Sequence, residues 1–313
     1  MKQVVVTGSL AFDHIMSMPG RFKDHIMPDK LHILNISFYV ETLRRGFGGT
    51  GGNQAYNLTL LGYKPLLVAA AGRDFGEYKQ FLQKAGVGIE GVREYKELTA
   101  TGFAVADQDD NQIWSFYAGA MKRATKLSLK PYLDKANLVM VAPNEPEAMT
   151  RYVGECSQAG VDFLYDPAFW IPNLGKQALV KGVKGARIVI GNDYEIELLL
   201  RKTKLTKKQI LAGKRILITT LGAKGSIIET GRETFEIPAA KPKNTSDPTG
   251  AGDAYRAGFI AGYLKNLPLS VCGRMGSVIA VYTVEKYGTQ THRFTLAQFK
   301  KRYQENFGES LTL

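Results

Sequence analysis

Cysteine and histidine are scarce in this chain. Its 313 residues include two cysteines, Cys156 and Cys272, far apart and without CxxC or Cys/His spacing, so neither a disulfide framework nor a structural zinc site is expected. The four histidines, His14, His25, His32 and His292, form no HExxH and no i, i+4 pair, and no GxSxG occurs. Zinc-hydrolase and serine-hydrolase chemistry therefore lack their groups. No GxxxxGK[ST] phosphate loop is present either. No window reaches the ~18 uncharged apolar residues of a membrane span. The N-terminal run Val4-Val5-Val6 falls short of the ~7 to 15 residues of a signal core. A soluble, cytoplasmic protein is expected.

The composition is that of an ordinary globular chain, with 44% hydrophobic and 22% charged residues, enough to bury a large core. A net charge of +12 raises the question of polyanion binding. The densest basic run, Arg201 to Lys208, has no interleaved aromatics and lies between apolar segments, which reads as a solvated surface. Neither nucleic acid nor membrane is expected as a partner, and the charge is available to draw in a phosphate-bearing small molecule.

Short apolar runs alternate with helical stretches. Gln3 to Val6, Pro65 to Ala71, Leu138 to Val141, Asp162 to Tyr165, Arg187 to Ile190 and Ile216 to Thr220 read as buried strands. Asn53 to Leu61, Tyr78 to Ala85, Glu145 to Gln158, Tyr194 to Arg201 and Ala251 to Lys265 read as helices. This alternation predicts an α/β fold with a mostly parallel sheet covered on both faces. Ligands in such sheets bind outside the carboxyl ends of the strands. Two stretches, about 14–47 and 98–119, break the rhythm, the second around the polar turn Asp107-Gln108-Asp109-Asp110-Asn111. Both follow core strands, so they are expected to form a small β-sheet lid inserted into one domain spanning 1–313.

The most informative stretch is Asp247-Pro248-Thr249-Gly250-Ala251-Gly252-Asp253. Two glycines opening a helix leave first-turn N–H groups free for an anion. Asp253 in that turn is stabilised as a carboxylate and could take the proton of a hydroxyl attacking a bound phosphoryl group. Ala254, Gly258 and Gly262, four apart, give the same helix a small face suited to close packing. Thr219-Thr220-Leu221-Gly222-Ala223-Lys224-Gly225 follows a strand and suits a nucleotide phosphate, or is a plain β-turn. Asn192 and Glu195 share a helix face, so both could meet a hydrated Mg²⁺; a bare helix cap explains them equally. Asp13, after Ser9, stands where a carboxylate could accept from two sugar hydroxyls, ordinary turn chemistry being the alternative.

A second glycine loop, Gly46-Phe47-Gly48-Gly49-Thr50-Gly51-Gly52-Asn53, contains a literal GxGxxG followed by a helix, a strand and Asp74. That is the outline of a dinucleotide fingerprint and makes a nicotinamide-dependent dehydrogenase the competitor from another enzyme class.

Together these residues resemble the ribokinase-like (PfkB) carbohydrate and nucleoside kinase family. The loop ending in Gly51-Gly52-Asn53 is similar to its first signature, Asp247 to Asp253 to its second, and Asn192 to Glu195 to its NxxE motif. Within the family the landmarks look most like bacterial, actinobacterial-type adenosine kinases. They run in order through Thr7-Gly8-Ser9 with Asp13, Pro19 to Phe22, Ser115-Phe116-Tyr117, Gly119-Ala120-Met121, Asn192 to Glu195, Thr219 to Gly222, Asp247 to Gly250 and Gly288-Thr289-Gln290.

The resemblance implies a three-layer α/β/α core of eight or nine strands with a β-lid. The implied activity is transfer of the ATP γ-phosphate to the 5′-hydroxyl of adenosine in purine salvage, with a broader nucleoside or sugar kinase as the alternative. It makes Asp253 the general base and Gly250, Ala251 and Gly252 the anion hole. Asp13 and Asn53, with Ser9 and Gly49, would hold the ribose. Phe103 and Phe116 would sandwich the base, Phe116 in a homodimer built through the lids. Thr220, Leu221, Gly222, Ala223, Lys224 and Gly225 would hold ATP, Asn192 and Glu195 would organise Mg²⁺ through water, and a monovalent cation such as K⁺ would sit near Asp247. One departure stands out: where the similar adenosine kinases carry a glutamine pair after Asp166-Pro167, this chain has Phe169-Trp170. Two amides become two aromatics, which favours stacking over polar readout of the base.

Overall fold

The apolar runs of the sequence bury both of their faces. In the strand Gln3–Thr7, Val4 and Val6 face one hydrophobic cluster and Val5 faces the other; Met140 and Val139, Ile190 and Val189, and Ile218 and Leu217 divide the same way. That two-sided burial is what a parallel sheet flanked by helices demands. The computed structural model describes residues 3–33, 35–109 and 111–313. Met1 and Lys2 ahead of the first strand, Leu34 in the lid and Asp110 in the expected hairpin tip lie outside them.

The central sheet has eight strands. Six are parallel, ordered Leu66–Val68, Gln3–Thr7, Ala136–Val141, Phe163–Tyr165, Ile188–Asn192 and Ile216–Thr220. An antiparallel hairpin of Ser226–Glu229 and Thr234–Ile237 closes one edge. One face packs against helices Thr50–Leu60, Ala251–Tyr263, Leu269–Val284 and Leu296–Phe307. The other packs against Pro146–Ala159, Lys176–Gly185 and Asp193–Thr203. From Gln3–Thr7 the chain builds outward to Leu66–Val68 and then returns to Ala136–Val141 on the other side. The direction of sheet growth therefore reverses at the carboxyl end of Gln3–Thr7, the place where such sheets open a ligand crevice.

The lid is a four-stranded sheet ordered Thr42–Gly48, Ala11–Ser17, Ala100–Ala106, Gln112–Tyr117. It begins earlier than the 14–47 expected, because Ala11 already pairs with Gly48 and Ala100. Its root is an aromatic knot in which Phe47 stacks on Tyr78 at 4.5 Å between ring centres and Phe12 leans on both. The small face of Ala251–Tyr263 does what its spacing predicts. A β-carbon at Gly258 would lie 2.6 Å from Ile279 Cγ2 and 2.8 Å from Gly276 Cα, so the helix lies directly against Leu269–Val284.

Candidate active site

Ser9, Asp166, Asn192 and Thr220 all lie at or just beyond the carboxyl ends of parallel strands, and the two glycine loops meet above them. The helix Thr50–Leu60 is closed to ligands at its N-terminus. Ser9 Oγ accepts from Thr50 N at 3.1 Å, and the Ser9 carbonyl accepts from Gly51 N at 3.0 Å. Ser9 thus caps a helix and shares a further hydrogen bond with the Thr50 hydroxyl at 3.2 Å. Gly49 is the N-terminal flank of that helix, with φ of 84°.

The second signature behaves differently. Gly250 takes the left-handed φ of 80° that a side chain disfavours, and no side chain caps the helix. Among the described residues, the N–H groups of Gly250, Gly252 and Asp253 have no acceptor. Ala251 departs from the expected hole: its N–H donates to the Pro248 carbonyl at 3.2 Å. What remains is an open helix N-terminus with the Asp253 carboxylate beside it.

Both carboxylate oxygens of Asp253 are held. Asn53 Nδ2 donates to Oδ2 at 2.9 Å and Gln54 Nε2 to Oδ1 at 3.0 Å. Gln54, completely buried, is a site residue the sequence reading missed, although it adjoins Asn53. Asn53 is fixed in turn, its Oδ1 accepting from Thr289 Oγ1 at 2.7 Å and from Gln290 Nε2 at 2.8 Å. Burial pushes the Asp253 carboxyl up to about 6, against the pull of the Arg256 guanidinium and the two amides. A carboxylate titrating there is matched to accepting a proton near neutral pH.

Asp13 reaches toward the same point from the lid, its carboxyl pushed up to about 7 by burial, Asp247 and Asp253. Asp247 accepts from Thr249 N at 2.9 Å and Gly288 N at 3.0 Å, which fixes the loop ahead of the helix. Asn192 and Glu195 form a reciprocal capping box, Glu195 N donating to Asn192 Oδ1 and Asn192 N to Glu195 Oε2, both at 2.8 Å. Burial and the nearby Asp166 raise the Glu195 carboxyl above its usual range. Among the described residues no group of three His, Cys, Asp or Glu side chains could hold a metal ion. The oxygen donors of this stretch, Asn192 and Glu195, are of the type that could meet a hydrated Mg²⁺ through water. Thr220 ends a core strand, and Gly222–Lys224 forms a single 3₁₀ turn closed by Gly225, with Leu221 N donating to the Gly225 carbonyl at 2.8 Å. Ala223 and Lys224 of that turn are exposed.

Two expectations change. Phe103 pairs with Ser115 and Gly102 with Phe116, so Phe103 and Phe116 point to opposite faces of the lid. Phe116 shares the face of Asp13, while Phe103 stacks on His14 at 5.1 Å. A base cannot be sandwiched between these two rings of one chain. Nor does Gly46 to Gly51 form a dinucleotide loop: Gly46 and Gly48 belong to a lid strand rather than the core sheet, and Asp74 is occupied by the Thr99 backbone and hydroxyl. The dehydrogenase reading loses its geometry.

A mostly parallel sheet with a β-lid, an open helix N-terminus and a doubly held carboxylate defines a ribokinase-like phosphotransferase. The chain belongs to the pfkB family of carbohydrate kinases, whose model matches residues 1–295. It is 31% identical over 313 residues to a nucleoside kinase of Methanothermobacter thermautotrophicus, covering 98% of this chain and 97% of that one. The structure of Burkholderia thailandensis nucleoside kinase in complex with inosine superposes with a TM-score of 0.90 at 33% identity, covering 98% and 99% of the two chains. Methanocaldococcus jannaschii nucleoside kinase, an archaeal member of the ribokinase family, gives 0.87 at 28% identity, covering 97% and 99%. No helix among the described residues is long and apolar enough to cross a membrane.

Proposed function

We propose that this kinase transfers the γ-phosphoryl group of ATP to the 5′-hydroxyl of purine nucleosides, adenosine among them. The observation that carries the reading is Asp253, partly buried, gripped on both oxygens and placed beside free N–H groups. In this scheme the acceptor hydroxyl gives its proton to Asp253, while the N–H groups of Gly250 and Gly252 meet the charge on the transferring group. Asp13 and Asn53 receive the ribose. Thr220 to Gly225 hold the nucleotide, and Mg²⁺, organised through Asn192 and Glu195, neutralises its phosphates. A monovalent cation near Asp247 belongs to the same scheme.

Breadth of substrate is favoured over strict adenosine selectivity by Trp170. Its ring packs on Ala11, Ala100 and Met121 at the lid root, and its buried Nε1–H has no acceptor among the described residues. An indole offers a donor and no acceptor, which suits an oxo group or a ring nitrogen of a purine without demanding a 6-amino group. The nucleoside-kinase names of the relatives agree with such breadth. We also propose that two lids pair through the strand Gln112–Tyr117, all six residues of which are exposed.

The test is turnover of adenosine, inosine, guanosine, cytidine and ribose under identical Mg-ATP. Nucleoside monophosphate and ADP in equal amounts from more than one purine nucleoside support the reading. Preference for ribose, or turnover of adenosine alone, sinks it.

A further inference from the structure

Arg256 lies one turn beyond Asp253, with only 6% of its surface exposed. Its guanidinium forks onto Asp166, Nη2 donating to Oδ1 at 2.9 Å and Nε to Oδ2. Nη1 turns back to the Gly252 carbonyl at 3.0 Å. Asp166 is itself 1% exposed and directly follows the strand Phe163–Tyr165. Directly after it the chain turns through Pro167 and Ala168, the latter at a φ of 40° rarely adopted by a side-chain-bearing residue, into Phe169 and Trp170. A fully desolvated ion pair adds little stability over a well-packed apolar pair, so stability is a weak reason for this one to be here.

We propose that Arg256, clamped by Asp166, is a positioning residue for phosphoryl transfer: through the Gly252 carbonyl it fixes the peptide that carries the Asp253 N–H at the helix N-terminus, and it sets the charge that Asp253 sees. The same clamp ties the turn carrying Phe169 and Trp170 to the helix that carries Asp253. Asp253 is faced by this pair, by the neutral amides of Asn53 and Gln54, and by Tyr78; Asp13 approaches from the lid and Asp247 from the preceding loop, with Glu195 behind the pair. Within that group Arg256 supplies a positive charge and Asp166 a negative one, and they act on Asp253 with opposite signs.

The inference rests on Asp253 as the base, and the experiment separates the two claims. The pH profile of kcat/KM is measured for wild type, Asp253→Asn, Arg256→Gln, Arg256→Lys and Asp166→Asn. Titration of the ATP phosphates is common to all, so only differences between variants count. In the wild type an acid limb near 6 is expected, lost with activity in Asp253→Asn. Arg256→Gln should raise the limb by about one pH unit and Asp166→Asn should lower it, although both break the same fork. Arg256→Lys should keep the limb while kcat falls roughly 10- to 100-fold from lost alignment. A pair that merely supports the fold would lower activity in both Arg256→Gln and Asp166→Asn without moving their limbs apart, and that result overturns the proposal. Should Arg256→Gln not fold, the near-isosteric Asp166→Asn decides alone: a limb unmoved or raised overturns it. A wild type with no such limb removes the base assignment itself and this inference with it.

Discussion

The side-chain amide of Asn53 donates to Asp253 at 2.9 Å while its oxygen is held by Thr289 and Gln290. One residue of the first signature therefore aims the carboxylate of the second, across 200 residues of sequence. Asp253→Asn keeps the shape and loses the proton acceptor. We expect kcat to fall about 10²- to 10⁴-fold, with the far-ultraviolet circular dichroism unchanged. Steady-state phosphorylation of a purine nucleoside checks this; retention of more than about a tenth of the activity would show that the proton leaves by another route.

Asp13 carries a cost that its position explains. Its folded carboxyl titrates near 7 against an ordinary value of 3.8, so between those values the folded state holds more protons than the unfolded one. Stability then falls as pH rises through that window and is lowest above 7. Asp253, raised to about 6, adds to the trend. Asp13→Asn should raise the unfolding temperature of the ligand-free protein more at pH 8 than at pH 5, while the KM for nucleoside rises. An equal change at both values would mean that Asp13 ionises in its ordinary range.

Much of this arrangement is legible in the chain itself. The six parallel strands, the lid and the two glycine loops follow from apolar runs of strand length and from glycines at helix starts, signals local enough to survive folding. What escaped depends on contacts between distant segments. The hairpin Ser226–Glu229 and Thr234–Ile237 has only four residues in each strand. The helix Leu269–Val284 is buried along most of its length and lacks a polar stripe. Gln54 and Asp166 look unremarkable until the fold sets them against Asp253 and Arg256. Strand alternation that assigns Phe103 and Phe116 to opposite faces required the pairing register.

Glycines in one motif serve different ends, and substitution separates them. A β-carbon at Gly250 would meet Thr289 Cβ at 2.9 Å with φ already left-handed, so Gly250→Ala should cost about 1–3 kcal/mol and also damage catalysis, because Thr289 holds Asn53. At Gly258 the intruding carbon meets Ile279 and Gly276 instead. Gly258→Ala should cost a similar amount, about 1–3 kcal/mol through overpacking, with kcat of the folded enzyme nearly unchanged. Urea unfolding alongside kinetics well below the transition checks the pair; equal loss of kcat in both would contradict the distinction.

Trp170 gives the reading of substrate breadth its sharpest exposure. Adenine presents an amino donor with ring-nitrogen acceptors, whereas a 6-oxopurine presents the oxygen and N7 as acceptors. A lone indole donor can pair with an acceptor of either. Adenosine and inosine should therefore differ by no more than about tenfold in kcat/KM, the scale of one neutral hydrogen bond. Trp170→Phe removes the donor and should lower both values, inosine more, since the oxo group presents the larger acceptor surface. Trp170→Gln supplies a donor and an acceptor together and should tilt the ratio toward adenosine by a similar factor, because its oxygen can take the amino group. If neither variant moves the adenosine-to-inosine ratio, the indole is only packing at the lid root. Base selection then belongs to the face of the lid that carries Phe116.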